Sequence, residues 1–244
     1  MDKSHPLSSP MVVRSLEVKK DPFRPREEHE ELLGPEVSYL SAIGALMYLA
    51  NCKSPGIAFS VNLLARYHSA PTYRHWKGIK HILRYLQGII GKGLLYSNKC
   101  GSQLVGYADA EYLSDPHKAI SQTGYLFTCS DTAISWRSTK QTLAPTSSNH
   151  AEILAIHEED NVACIAQLKG GYIKGDRTKH ISPKLFFTHD LQNSGDIDVH
   201  QIRSSDNLPD LFTKSLPTST FEKMVHKIGM HRLKDLQERR IEGK

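Results

Sequence analysis

The stretch GYADAEYLSDPHKAISQTGYLFTCSDTAISWRSTK, residues 106–140, decides the fold. Apolar and polar residues alternate along it, and polar residues that favour turns separate the alternating segments. Alternation with a period of two is typical of strands that bury one face. We therefore predict an antiparallel three-stranded unit. Its predicted strands are Leu104–Asp109, Tyr125–Cys129 and Ala133–Arg137.

Downstream of these strands the pattern changes to helix, strand and helix. The pair Ser147–Ser148 is a good N-cap for a helix over Ala151–Ala166. A clean alternation predicts a strand over Ile197–Ile202, and helical spacing follows over Asn207–Leu216 and Phe221–Leu236. Strands combined with helices in this order indicate an α/β or α+β domain.

Upstream of the strands the sequence predicts three helices and a linker. Residues 1–36 carry five prolines and read as an extended segment. Helical patterns follow over Ser38–Asn51 and Ile57–Tyr67, and a third begins at Pro71–Thr72. The first of these helices is nearly all apolar, so we expect it to be buried on most sides.

The net charge of +5 is unevenly distributed. Residues 37–100 contain eight Lys or Arg and no acid, whereas residues 1–36 contain six basic and eight acidic residues. This basic block is either a solvated helical face or a surface for nucleic-acid phosphates. The candidate phosphate contacts are Arg74, Lys77, Lys80 and Arg84, with a second cluster at Lys174, Arg177 and Lys179.

Several classes of protein are disfavoured by composition. No run of eighteen apolar residues occurs, and the first residues lack the apolar core of a signal peptide. The four cysteines are scattered and form no C-x-x-C pair, which disfavours a disulfide scaffold and a Cys-based zinc site. We expect an intracellular protein without a membrane partner.

Four carboxylates stand at positions where they could meet. Asp109 ends a predicted strand, while Glu152, Asp160 and Asp210 lie at or near helix starts. Oxygen ligands of this kind suit Mg²⁺ or Mn²⁺, and four of them could hold two ions about 3.5–4 Å apart. Acids at helix starts also favour the helix dipole, so spacing alone leaves a purely structural role open.

Seven motifs, taken together and in order, resemble the end of a copia-type retrotransposon Pol polyprotein. The resemblance runs from about residue 4 to residue 233. The motifs are SYLSAIGALMYLANCKSPGIAFSVNLLARY, HWKGIKHILRYLQG, GYADAEYLSDPHKAISQTGYLFTCSDTAISWRSTKQ, SSNHAEILA, DNVACIAQL, RTKHI and DNLPDLFTKSLP.

The resemblance implies a domain layout and a fold. Residues 1–36 are an extended linker, and 37–90 form a helical connection region that in the family follows a reverse transcriptase. Residues 91–216 form an RNase-H-like domain, and 217–244 a C-terminal helix. The implied fold is α/β: a mixed sheet with flanking helices. The paired-aspartate motif Y-x-D-D is absent, so no polymerase activity is expected.

The resemblance also implies a function, with an RNA–DNA hybrid as substrate and Mg²⁺ or Mn²⁺ as cofactor. The family's catalytic, metal-holding acids match Asp109 in YADAE, Glu152 in HAEIL, Asp160 in EDN and Asp210 in PDLFTK. Glu111 stands where the family usually has another acid, and is a bystander candidate. The rest of a retrotransposon polyprotein is the implied protein partner.

The chain departs from the family near residues 157–160. There the family has a further helix, a loop and a central strand, but here HAEILAIHE runs directly into EDN. On one continuous helix, Glu152 and Asp160 would be separated by about 12 Å of rise, too far for one two-ion site. We therefore expect the central strand to be missing. Either drift in a disused copy or a gene model that skips coding sequence explains this deletion.

Three hypotheses follow. The first is a degenerate polyprotein fragment whose RNase-H-like domain has lost its activity. The second is a working two-metal ribonuclease H, with Asp160 or Glu159 completing the site. The third is a nucleic-acid-binding protein that retains only the basic helices.

Overall fold

The computed structural model describes residues 5–15, 17–96, 104–157 and 206–234, together with residues 193 and 202. The helices are α1 (Tyr39–Cys52), α2 (Ala58–Ala65), α3 (Tyr73–Gly88), α4 (Ser148–His157), α5 (Asp210–Thr213) and α6 (Thr218–Lys227). The strands are β1 (Lys92–Leu94), β2 (Leu104–Asp115), β3 (Ile120–Cys129), β4 (Thr132–Lys140) and β5 (Met230–Arg232). In this part of the chain, no helix combines the length and the apolar character needed to cross a membrane.

The predicted three-stranded unit is confirmed. Strands β2, β3 and β4 pair antiparallel in that order, with Asp109 opposite Gly124 and Leu126 opposite Trp136. Ser130 and Asp131 connect β3 to β4, and both have a positive φ (51° and 62°), as a type I′ hairpin turn requires. The predicted strand Ile197–Ile202 lies outside the described residues, apart from Ile202.

Apart from α4, which packs on β2 through a smaller cluster of its own, the helices and the three-stranded sheet share one hydrophobic core, which confirms the expected mixed α/β fold with flanking helices. One contact that joins the two parts is the indole of Trp136 on β4, whose Nε1 donates a hydrogen bond to Ala50 O on α1 at 2.6 Å. The core includes Ile43, Leu46, Ile57, Val61, Leu63, Leu64, Ile79, Ile82, Tyr85, Leu126, Phe212, Phe221, Val225 and Ile228. This architecture is consistent with part of an RNase-H-like fold.

The expectation that α1 is buried on most sides is wrong. The exposed fractions of Leu40, Met47 and Tyr48 are 67%, 40% and 63%. These residues lie on the side of the helix opposite the one that packs into the core. An almost wholly apolar helix sequence therefore does not determine how much of the helix surface is buried. The buried side consists of Tyr39, Ile43, Leu46 and Ala50.

The last helices are shorter than predicted. The helix expected over Asn207–Leu216 is a single turn, α5, and the one expected over Phe221–Leu236 ends at Lys227. Gly229 has φ +88° and redirects the chain into β5, which pairs antiparallel with β1. A Cβ at Gly229 would lie 2.7 Å from Thr132 Oγ1, so only glycine fits this turn.

The N-terminal segment packs against the helices without forming one in its described part. Leu7 N donates to Arg84 O on α3, and Leu33 N donates to Pro71 O just before that helix. Phe23 is buried in the core. An ion pair between Arg14 and Asp21, with N···O 2.6 Å, is almost completely removed from water. The prolines prevent a helix here, but backbone hydrogen bonds and buried side chains still fix the segment in place.

Candidate active site

Asp109 is presented by the middle of β2, where the sheet receives helix α5 at very close range. The residue opposite Asp109 is Gly124, and a Cβ there would lie 2.6 Å from Phe212 Cβ and 2.9 Å from Thr213 Cγ2. The absence of a side chain at Gly124 therefore lets α5 lie directly on the strand pair. This packing brings Asp210, the first residue of α5, beside Asp109.

Hydrogen bonds hold these two aspartates in a defined arrangement. The Nδ2 of Asn207 donates to Asp109 Oδ1 and to Asp210 Oδ1, both at 2.8 Å. Thr213 Oγ1 donates to the other oxygen of Asp109, Oδ2, at 2.5 Å. Because one amide nitrogen bridges both carboxylates, their nearer oxygens lie within a few ångströms of each other. The pair is buried, with Asp109 only 6% exposed.

Glu152 reaches the same region from helix α4. The buried Ala151 and Ala155 pack against Ala110 on β2, and their small size lets α4 approach the strand closely. Gln141 Nε2 donates to Ala151 O at 2.8 Å and anchors the start of the helix. Glu152 Oε2 accepts a hydrogen bond from the backbone N–H of Ala110 at 3.1 Å, which places this carboxylate next to Asp109.

A lysine lies among these acids. The ammonium Nζ of Lys214 is 2.9 Å from Asp210 Oδ1, 3.3 Å from Glu111 Oε2 and 3.7 Å from Asp109 Oδ2. Glu111, the bystander candidate, thus joins the group through this lysine. Below, the acidic cluster means Asp109, Glu111, Glu152 and Asp210.

The acidic cluster shifts the protonation of its own members. Burial, with the neighbouring Asp109 adding to it, raises the pKa of the Glu152 carboxyl to about 7. Burial also raises the pKa of Asp210 and of Glu111. For Lys214, burial alone would lower the pKa of the ammonium, but the carboxylates around it outweigh burial and hold that pKa above its usual range.

The donor chemistry of the cluster suits a divalent cation, but the arrangement does not. Carboxylate oxygens are the ligands that Mg²⁺ and Mn²⁺ prefer. Across the described ranges, however, no group of three or more His, Cys, Asp or Glu side chains is placed to hold a metal ion. The oxygens of Asp109 and Asp210 instead face the Asn207 amide and the Lys214 ammonium. They are placed as hydrogen-bond acceptors rather than as ligands of one ion.

The structure brings Asp109, Glu152 and Asp210 together, and Asp160 lies outside the described residues. The three basic residues proposed as phosphate contacts in the second cluster, Lys174, Arg177 and Lys179, lie outside them too.

The four candidate contacts on α3 divide into two pairs. Arg74 forms an ion pair with Glu30, and Arg84 Nε donates to His5 O, so both serve to bind the N-terminal segment. Lys77 and Lys80 are exposed, and both ammonium groups lie over the ring of Tyr73, at 5.1 and 5.7 Å from its centroid. Lys77 and Lys80 are therefore more exposed than Arg74 and Arg84, which are half-buried.

Sequence reasoning missed Lys214, Asn207 and Gly124. The first two stand four residues after and three residues before Asp210, spacings that place side chains on one face of a helix. That spacing was a usable signal for both. The role of Gly124 depends on a helix more than eighty residues away in sequence, so nothing local indicated it.

Comparisons with known proteins place this chain in a class. No family model matches the chain, and no solved structure matches it. It is 32% identical to the "Retrovirus-related Pol polyprotein from transposon TNT 1-94" of Nicotiana tabacum, over 95% of this chain and 19% of that protein. It is 28% identical to the "Retrovirus-related Pol polyprotein from transposon RE2" of Arabidopsis thaliana, over 79% of this chain and 15% of that protein.

The class is therefore that of retrotransposon polyproteins. The chain is homologous to a segment of the Pol polyproteins of copia-type retrotransposons, and it spans less than a fifth of these two relatives. It is also 37% identical to the "Secreted RxLR effector protein 161" of Plasmopara viticola, over 57% of this chain and 98% of that protein.

The two Pol alignments contain more positions than the number of residues of this chain that they cover. The tobacco alignment runs over 257 positions but covers 95% of the 244 residues here, or about 232. The Arabidopsis alignment runs over 218 positions and covers 79%, or about 193 residues. In each, about 25 positions have no residue of this chain opposite them. The Plasmopara alignment has no such excess, because 57% of this chain equals its 139 positions.

Proposed function

We propose that this chain is the C-terminal, RNase-H-like part of a copia-type Pol polyprotein whose hybrid-cleaving centre is incomplete. The observation that carries the proposal is the convergence of Asp109, Glu152 and Asp210 from β2, α4 and α5. Three separate elements have no structural need to bring their acids together, and two of these acids, Asp109 and Asp210, are buried. Such a concentration of carboxylates is costly unless it serves a charged ligand.

The short connection after α4 supports loss of the fourth acid. Helix α4 runs to His157, and only Glu158 and Glu159 stand between it and Asp160. At about 3.3–3.6 Å per extended residue, two residues cannot supply a loop and a strand. The excess of about 25 positions in the two Pol alignments has the size expected if a helix, a loop and a strand are missing.

The edge of the sheet beside Asp109 gives further support. Among the described residues, β2 pairs only with β3, and no strand lies on its other edge. The backbone N–H of Ala110 bonds to the Glu152 carboxylate. The Glu152 carboxylate thus satisfies a backbone donor of this edge strand. In the family the matching carboxylate holds a cation, whereas here it accepts a hydrogen bond from the protein itself.

The missing acid should abolish cleavage. Two-ion hydrolysis of a phosphodiester needs one ion for the attacking water and one for the leaving oxygen. With fewer ligands, the second ion binds poorly, and the barrier rises by several kcal/mol, which lowers the rate by orders of magnitude. An RNA–DNA hybrid is the proposed ancestral substrate, Mg²⁺ or Mn²⁺ the ancestral cofactor, and the rest of the polyprotein the ancestral partner.

Hybrid cleavage by the purified chain tests this proposal. We expect no cleavage of a labelled RNA–DNA hybrid in Mg²⁺ or Mn²⁺ above the level of the Asp109→Asn variant. Cleavage by the wild-type chain that disappears in Asp109→Asn would overturn the proposal and establish a working nuclease. Glu17→Gln, an exposed substitution far along the chain, serves as the control for protein quality.

A second candidate function, binding of nucleic acid without cleavage, is favoured by the exposed Lys77 and Lys80. They project from α3 into solvent within a chain region that carries no acid over residues 37–100. Binding of a hybrid in the absence of cleavage, with affinity that falls steeply as salt rises, is the result this candidate predicts.

A further inference from the structure

The position of Lys214 is fixed by the fold. It directly follows α5, and its backbone N–H donates to Asp210 O at 3.0 Å. The preceding turn is itself anchored, because Ser138 Oγ on β4 donates to Phe212 O at 2.5 Å. The backbone that carries the lysine is thus held at two points. Its ammonium is directed at the carboxylates by the same helix that delivers Asp210.

We propose that Lys214 is a built-in counter-ion of the acidic cluster and keeps divalent cations out of it while the fourth acid is absent. This inference rests on the cluster being the cation site of the proposed function, but not on the loss of cleavage. The ammonium contacts three acids, Asp109, Glu111 and Asp210, which come from two different elements. It occupies the place where those acids meet.

Electrostatics explains why one cation excludes the other. Carboxylates buried side by side repel one another, and a positive charge among them removes that repulsion. Once the ammonium supplies this charge, a divalent ion gains less from binding and must approach a like charge at close range. Binding therefore requires the lysine to leave, with loss of three ion pairs at once.

Lys227 offers a matched comparison. It also forms a lysine–aspartate ion pair, with Nζ 2.7 Å from Asp206 Oδ1. That pair is more exposed, at 37% and 53% of the two side chains, and among the described residues Lys227 pairs with one acid rather than three. Removal of its charge leaves the acidic cluster untouched, so it controls for the general effect of a lost lysine.

The test is a direct titration with Mn²⁺, followed by the electron paramagnetic resonance signal of the free ion. Lys214→Met and Lys214→Gln in the full chain should each bind Mn²⁺ at least about tenfold more tightly than the wild type. Lys227→Met should bind it as the wild type does. The double variant Lys214→Met, Asp109→Asn should lose the gain, because the ion then lacks a ligand.

Equal or weaker Mn²⁺ binding in both Lys214 variants would overturn the inference, as would tight binding that survives Asp109→Asn. Should the variants unfold when free of metal, Mn²⁺ must restore their thermal transition, because it replaces the missing charge. Failure of millimolar Mn²⁺ to restore folding would also overturn the inference. The proposed function is judged separately by cleavage of the hybrid by the wild-type chain.

Discussion

Glu152 holds a proton close to neutral pH because burial and the neighbouring Asp109 raise its pKa to about 7. An unfolded chain releases that proton near the ordinary pKa of a glutamate, about 4.3. Between these two values the folded state binds more protons than the unfolded state does. The contribution of Glu152 to stability is therefore favourable below this window and is lost as pH rises through it.

We expect Glu152→Gln to remove this part of the pH dependence. The variant should lose less stability than the wild type between pH 5 and pH 8, because this range covers most of the window between the unfolded pKa of about 4.3 and the folded pKa of about 7. Urea unfolding of both proteins at the two pH values measures the difference. The same fall in stability for both proteins would show that the Glu152 carboxyl titrates as it does in water.

Helix α5 packs closely on strands β2 and β3 because Gly124 has no side chain. Gly124→Ala would place a methyl group 2.6 Å from Phe212 Cβ and 3.1 Å from Pro209 O, so α5 must move away. We expect a loss of about 1–3 kcal/mol in unfolding free energy, as for other overpacked sites. Denaturant unfolding measures it.

Gly93→Ala on β1 is the control for that substitution. No heavy atom lies within 4 Å of the Cβ it would carry, so its effect should stay within about 0.5 kcal/mol. Equal unfolding free energies for the two variants would contradict the close packing of α5 on the sheet.

Helix α3 separates cations that face solvent from cations that bind the N-terminal segment. Lys77→Gln with Lys80→Gln should flatten the salt dependence of hybrid binding by about one unit per lost phosphate contact. Arg74→Gln with Arg84→Gln should leave that slope nearly unchanged, because both arginines already bond to Glu30 or His5. Filter binding over a range of salt concentrations measures both slopes; a larger change in the arginine pair would refute this assignment.

At the scale of the whole molecule, a buried ionic network joins the N-terminal segment to the sheet. Arg14 pairs with Asp21, whose Oδ2 also contacts His117 Nε2 at 3.1 Å, just beyond the end of β2. Arg14 N further donates to Ser215 Oγ, next to Lys214. The segment therefore connects the helical region, the turn between β2 and β3, and the end of α5.

Removal of one charge from this network should be costly. Asp21→Asn leaves Arg14 buried without its counter-ion, and we expect a loss of about 3–5 kcal/mol in unfolding free energy. Glu17→Gln breaks only the exposed pair with Lys20, whose side chains are 59% and 70% exposed, and should cost under about 1 kcal/mol. Thermal or urea unfolding compares them. A cost for Asp21→Asn as small as that for Glu17→Gln would show that the segment does not hold the fold together.

The extent to which sequence predicts this molecule depends on the range of the contacts involved. The three-stranded unit was predictable, because alternation and the Ser130–Asp131 turn are local signals. The positions of Asp109, Glu152 and Asp210 followed from motifs. The exposed side of α1 and the packed N-terminal segment were not predictable, since both depend on which surfaces meet across the fold. Lys214 was visible in sequence only as a neighbour of Asp210.

The central claim is that a missing segment disables an otherwise assembled acidic cluster. The most direct test inserts the corresponding segment of the tobacco polyprotein after Glu158 and compares hybrid cleavage by the grafted chain, its Asp109→Asn variant and the wild type in Mg²⁺. We predict cleavage by the grafted chain alone, because the added acid lets two divalent ions displace the Lys214 ammonium from the cluster. Equal cleavage by the wild-type chain, or no cleavage by a folded graft, would contradict the claim.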